Sequence, residues 1–179
     1  MDSGWCLFDT AIGPCGIAWG EQALVGVQLP EGSAAATRAC MRRRFPRLPE
    51  CAAPARVAAI VARVQRWLEG GHDAMLDVAL DMSAVPEFHQ RVYQVTRAIA
   101  PGHTLSYGEV AARIGEPGAA RAVGQALGRN PFAPIVPCHR VLAARTGAGG
   151  FSADGGVATK LRLLEIERAQ LGSEPGLFD

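Results

Sequence analysis

The chain has 179 residues, of which 49% are hydrophobic and 20% charged, and a formal net charge of +1. That length suits one domain of average size or two small ones, can bury a core without disulfide or metal staples, and with this composition is not a disordered tail. No apolar run reaches the roughly 18 residues a membrane helix needs, and Met1 to Cys15 hold no Lys, Arg or long apolar block, so a cytoplasmic protein without a secretory signal is expected.

Charge is uneven along the chain. Residues 1–85 carry eight Arg against nine acids, whereas residues 86–145 carry seven Arg against three Glu. A local basic excess points weakly to nucleic acid, and on charge alone a solvated Arg-rich face is the better reading. Five cysteines, at positions 6, 15, 40, 51 and 138, form an odd set with no C-x-x-C. They make no disulfide framework and fit a reducing compartment. The first four sit among apolar or small residues and read as buried small hydrophobes.

The first third reads as strands, Trp5 to Asp9, Cys15 to Gly20 and Leu24 to Leu29, with turns at Gly13-Pro14 and Gly20-Glu21-Gln22. A helix follows from Ser33 to Phe45, with Ser33 as N-cap and Arg42, Arg43 and Arg44 at an exposed, negatively polarised end. Pro54 opens a second helix in which Val57, Ile60, Val61, Val64, Trp67 and Leu68 recur at helical spacing, and Gly70-Gly71 closes it. Leu76, Val78, Leu80 and Met82 alternate with Asp77, Ala79 and Asp81, which predicts a half-buried strand with both Asp on its solvent face. Ser83 to Pro86 reads as a linker, so residues 1–85 form a small α+β domain without a catalytic constellation.

Beyond Pro86 the pattern turns helical. Phe88, Val92, Val95 and Ile99 share one face, and Pro101-Gly102 ends that helix. Ser106 caps a short helix from Tyr107 to Ile114, a tight turn runs over residues 115–118, and a further helix spans Ala119 to Leu127. Two short helices joined by a Gly-containing turn fit a helix-turn-helix. The second has a nearly bare surface of Ala119, Ala120, Ala122, Gly124 and Ala126, with Arg121 standing among them. Such a surface suits close approach to a minor groove, with one Arg as a plug in the base stack; it suits close helix packing equally well.

Asn130 to Leu142 reads N-P-F-A-P-I-V-P-C-H-R-V-L. Pro131, Pro134 and Pro137 forbid a helix and stiffen the loop. A Cys and a His at the end of a rigid loop are not a plain connector. Cys138 is a candidate nucleophile once deprotonated. His139 is adjacent, and because neighbouring side chains diverge, a water is a natural relay between them. An acid to orient the His comes from the last helix, Glu165 or Glu167. Three readings compete: a structural Cys-His pair, a Cys-His hydrolase, and a group-transfer enzyme acting on DNA. Only the third uses both the helix-turn-helix and the thiol.

The segments F-H-Q-R-V-Y, G-H-T-L-S-Y-G-E-V-A, A-A-R-A-V-G, G-R-N-P, I-V-P-C-H-R-V, G-G-F-S and T-K-L-R-L-L-E-I-E, from about Phe88 to Glu167, carry a specific likeness. The chain resembles the O6-alkylguanine-DNA alkyltransferases, or methylated-DNA–protein-cysteine methyltransferases; before Phe88 the likeness is only in element order. The resemblance implies an N-terminal ribonuclease-H-like α/β domain (residues 1–85), a winged-helix-like DNA-binding domain (86–170) and a loose tail (171–179). It implies irreversible, stoichiometric transfer of an alkyl group from O6-alkylguanine in DNA to Cys138, with O4-alkylthymine a second candidate substrate. His139 then matches a water-bridged base, and Glu167 the acid that orients it, because its distance from Lys160 fits the family's K-x6-E. Asn130 matches a residue holding the active-site turn, Arg121 a finger filling the gap left by the extruded nucleotide, and Tyr107 a residue that rotates the phosphate and bonds the flipped base. Phe151 and Ser152 match the loop over that base, and the backbone of Cys138 and Val141 accepts from its amino group. The implied partner is double-stranded DNA, bound in the minor groove by a monomer, with no cofactor and no membrane.

Two departures stand out. Some relatives hold a structural zinc, but Gly20 and Val25 fall near the ligand positions, so no metal is expected. Ala153 and Asp154 lengthen the loop over the base. The rivals are a non-catalytic alkylation-damage recognition protein, which would lack an acceptor Cys, and a helix-turn-helix regulator, which would need a base-reading surface.

Overall fold

The structure is a computed structural model that describes residues 2–143 and 156–168. It opens with an antiparallel meander of β1 (Gly4–Thr10), β2 (Gly13–Trp19) and β3 (Leu24–Gln28). The first turn is Ala11-Ile12, two residues before the expected Gly13-Pro14, because Pro14 pairs with Asp9 and Gly13 with Thr10 inside the hairpin. Thr10 Oγ1 donates to the Gly13 carbonyl at 2.7 Å, and Gly13 supplies the φ of +120° that the corner needs.

Strand alternation sorts the sheet into two faces. Cys15, Ile17 and Trp19 face α2 (Ala55–Leu68), meeting Val57, Val64, Trp67 and Leu68. Gly16 and Ala18 face α1 (Ala34–Arg44), where a Cβ on Gly16 would lie 2.5 Å from Met41 Sδ. The helices end where the sequence signals: Ser33 Oγ accepts from Ala36 N, Pro54 precedes α2, and Gly70 follows it at φ +105°. Arg44, expected at an exposed helix end, is instead turned inward. Its guanidinium donates to the carbonyls of Val27 and Pro131, each at 2.9 Å, and to Gln28 Oε1. A cation at the last turn keeps its favourable place and also bridges to the proline loop.

The expected strand over Leu76 to Met82 does not form. Met75 and Val78 are buried while Leu76 is 59% exposed, so burial runs three residues apart instead of two. Arg97 donates to the Met75 and Val78 carbonyls, and Arg63 holds both Asp73 and Asp77. These side chains replace the partners a strand would offer, leaving one parallel bridge between Leu24 and Leu80. Asp77 is thus an ion-pair partner, and Asp81 accepts from Ser83 N at 2.9 Å.

The remainder is helical: α3 (Glu87–Arg97), α4 (Tyr107–Arg113) and α5 (Ala120–Gly128). Ser106 and Glu109 make a reciprocal capping box on α4, and Gly115 follows it at φ +82°. Val92, Val110, Val123 and Leu127 fill the core between the three helices, where Tyr93 Oη donates to the Ala126 carbonyl at 2.6 Å. β4 (Leu105–Ser106) pairs in parallel with β5 (Val141–Leu142), and α6 (Val157–Ile166) completes the described chain. The result is a mixed α/β molecule. The core around the sheet also takes in Ile135 and Leu163 from the second half. Among the described residues no helix is long and apolar enough to cross a membrane.

Candidate active site

The proline loop is held from its own interior. Asn130 Nδ2 donates to the Val136 carbonyl at 2.7 Å, and Asn130 Oδ1 accepts from Phe132 N at 2.9 Å. One side chain thereby closes the turn with a donor and an acceptor, which an aspartate could not do. Pro131 and Pro134 leave no competing N–H, and the Val27 amide and Arg44 tie the Pro131 carbonyl to the sheet. The loop delivers Cys138 to a single 3-10 turn, Cys138–Arg140, that runs straight into β5. Pairing of β5 with β4 then sets Tyr107, the first residue of α4, beside the same spot.

Cys138 is 5% exposed, and burial pushes its thiol up to about 11, against the pull of the Asn130 side chain and the Lys160 ammonium. At neutral pH the resting group is a thiol and needs a base. His139 is fully buried, and burial lowers its pKa against the opposing pull of Glu167, so the imidazole is neutral at pH 7 and fit to accept a proton. Its Nε2 lies 3.1 Å from Glu167 Oε2, while Nδ1 has no protein partner among the described residues. Glu167 is buried as well; burial alone would raise its pKa, but contacts from His139 and Arg140 prevail and hold it at about 2. Arg140 Nη2 reaches Glu167 Oε1 at 2.5 Å, Arg140 Nε reaches Oε2 at 3.0 Å, and Arg140 Nη1 donates to the Ile99 carbonyl. This is a paired and fully bonded buried charge.

Across the thiol, Lys160 is buried on α6. Its Nζ donates to the Val141 carbonyl at 2.6 Å and approaches Tyr107 Oη at 3.4 Å. Burial lowers the Lys160 pKa. Burial and the neighbouring Cys138 raise that of Tyr107, which stays a phenol and a donor.

Of the residues expected from the sequence, Cys138, His139, Glu167, Asn130, Tyr107 and Val141 come together. Glu165, the other acid considered, is exposed and lies 3.6 Å from Arg162. Arg121 is exposed on α5, outside this buried group. Phe151, Ser152, Ala153 and Asp154 lie outside the described residues. Three members were not foreseen as site residues. Arg140 stands in the same motif as Cys138, Lys160 is the chain's single Lys, and Trp67 carried only a core signal. Trp67 Nε1 donates to Glu167 Oε1 at 2.9 Å.

The 6-O-methylguanine DNA methyltransferase DNA-binding domain model matches residues 87–169. A methylated-DNA–protein-cysteine methyltransferase of Mycobacterium leprae is 50% identical over 102 residues, covering 57% of this chain and 60% of the relative. The chain thus spans about three fifths of that relative's length, and 61% of the like-named Mycobacterium tuberculosis protein. The protein of that name from Methanothermobacter thermautotrophicus is 35% identical over 157 residues, covering 87% of this chain and 80% of the relative. The crystal structure of Mycobacterium tuberculosis OGT in complex with DNA superposes with a TM-score of 0.74 at 35% identity, covering 92% of this chain and 93% of that one. An alignment at 35% identity over 87% of this chain and 80% of the relative, with a structural match that covers both halves, leaves one assignment: the chain belongs to the methylated-DNA–protein-cysteine methyltransferase family.

Proposed function

We propose that this protein repairs alkylated DNA by direct reversal, moving the alkyl group of O6-alkylguanine onto its own Cys138. The observation that carries the reading is the buried line of Cys138, His139 and Glu167 facing Tyr107 and Lys160. The family membership and the crystallisation of a relative with DNA support it.

The chemistry follows from the groups present. The lesion carbon lies inside the duplex, so the nucleotide is extruded before reaction. Arg121, on the exposed side of α5, enters the gap, and the small residues around it let the helix approach the minor groove. The Cys138 thiol gives its proton through a water to His139 Nδ1, and Glu167 stabilises the imidazolium that forms. The thiolate attacks the alkyl carbon in line; the S–C bond forms as the C–O6 bond breaks, and the electron pair leaves on guanine O6. Tyr107, a phenol steered by Lys160, binds the extruded base, and Asn130 holds the turn that presents the thiol. Guanine takes a proton from the Tyr107 phenol, and the imidazolium returns its proton to that oxygen through solvent, so the proton surrendered by Cys138 ends on guanine. The Val141 and Cys138 carbonyls accept from the base's exocyclic amine, and Phe151 and Ser152 cover it. The thioether product is a poor leaving group, so each molecule acts once. The DNA itself is the alkyl donor, so the reaction calls for no cofactor or metal.

The same reading assigns residues 1–85 to a ribonuclease-H-like unit and 86–170 to a winged-helix-like unit with α4 and α5 as its helix-turn-helix. The meander flanked by two helices and the capped α4–α5 pair support it. Cys138→Ser is expected to abolish transfer while retaining binding to a duplex bearing O6-methylguanine, read by peptide mass and by gel shift. Transfer that survives the change would make another thiol the acceptor.

A further inference from the structure

Trp67 lies on α2, 100 residues before Glu167, yet its indole N–H falls on the carboxylate of that residue at 2.9 Å. A buried indole needs one acceptor, and a backbone carbonyl serves elsewhere in this chain: Trp5 Nε1 donates to the Leu48 carbonyl. Trp67 instead shares Oε1 with Arg140 Nη2, which leaves Oε2 as the oxygen nearest His139 Nε2. The same ring lies against the imidazole, with centroids 5.9 Å apart and planes at 39°, and the Arg140 guanidinium sits 5.5 Å from the indole centroid. One side chain therefore touches all three members of the His139–Arg140–Glu167 group.

We propose that Trp67 is a positioning residue through which the N-terminal helix α2 sets the rotation of the Glu167 carboxylate and walls in the His139 ring. The inference rests on the alkyl-transfer reading and deepens it: the base is aligned only when α2 is seated. Its energetic logic is that of an outer hydrogen-bond shell. Arg140 and Trp67 fix Oε1 from two directions, so Oε2 has one orientation and the imidazole one resting place. The indole N–H acts through Glu167 and touches neither thiol nor base.

The test replaces Trp67 with 3-benzothienylalanine, which keeps the ring size and removes only the N–H, alongside Trp67→Phe. Alkyl uptake is timed with free O6-benzylguanine and with a duplex bearing O6-methylguanine. The isostere is expected to slow uptake about tenfold on both substrates, the scale of one charge-assisted hydrogen bond, with duplex affinity unchanged and the melting temperature lowered by a few degrees but still well above that of the assay. In a Glu167→Gln background the isostere is expected to add no further loss, because both changes cut the same line. An isostere that reacts at the wild-type rate, or whose loss multiplies with that of Glu167→Gln, overturns the proposal. If wild-type protein takes up no alkyl group from either substrate, the alkyl-transfer reading fails instead. The Trp67 contact is then read from its indole 15N–1H resonance, identified by its disappearance in Trp67→Phe: a shift on Glu167→Gln supports the contact, and an unmoved resonance overturns it.

Discussion

Burial raises the pKa of both Cys138 and Glu167, but the bonds from His139 and Arg140 overturn it at Glu167, so the two groups end displaced in opposite directions and each displacement has a measurable sign. Burial keeps the thiol protonated to about pH 11. Alkylation of Cys138 by iodoacetamide, followed by peptide mass, is therefore expected to accelerate about tenfold per pH unit from pH 7 to 9. A plateau below pH 8 would mean that the thiol is already ionised. Glu167 is held at about 2 against an ordinary value of 4.5, so its charge stabilises the fold above pH 4.5 and that contribution fades as the pH falls toward 2. Its size is on the order of 3 kcal/mol. The melting temperature of the wild type should fall more steeply between pH 4.5 and 2.5 than that of Glu167→Gln; equal slopes would detach Glu167 from acid stability. Cys138 and His139 were legible from the sequence because three prolines leave a loop with no packing reason to end in Cys-His. Trp67 was not, because its helical spacing with Val64 and Leu68 marks only a buried face and says nothing of what its N–H meets.

At the scale of elements, the chain announced its helices better than its last strand. Ser33, Pro54 and Ser106 start helices through local bonds or a missing N–H, and such signals survive any tertiary context. The Leu76 to Met82 alternation failed because two distant arginines, Arg63 and Arg97, took its side chains and carbonyls. Arg44 was misjudged for the same reason, since its partner Pro131 lies 87 residues away. On the α4–α5 pair the separable prediction concerns Arg121. Arg121→Ala is expected to slow repair of O6-methylguanine in duplex at least tenfold and to leave uptake from free O6-benzylguanine within twofold, because only the duplex needs a gap filled. Equal losses on both substrates would remove the finger role.

At the scale of the molecule, the candidate site is assembled from both halves of the chain. The proline loop, β5 and α6 supply the candidate site groups, while β3, α1 and α2 hold them through the Val27 amide, Arg44 and Trp67. Arg44→Ala removes the guanidinium donor from the Val27 carbonyl and from the Pro131 carbonyl, which keeps the Val27 amide, and a loss of about 1–3 kcal/mol is expected from thermal or urea unfolding. A loss below about 0.5 kcal/mol would show that water serves those carbonyls as well. On the proposed reading, this joint assembly delivers an alkyl group to one sulfur. The most direct measurement is intact and peptide mass after mixing the protein with a duplex containing a single O6-methylguanine. A single added methyl on the peptide bearing Cys138, saturating at one per molecule, is the predicted result; an unmodified protein that still binds the lesion tightly would contradict it and make this chain a damage-recognition protein.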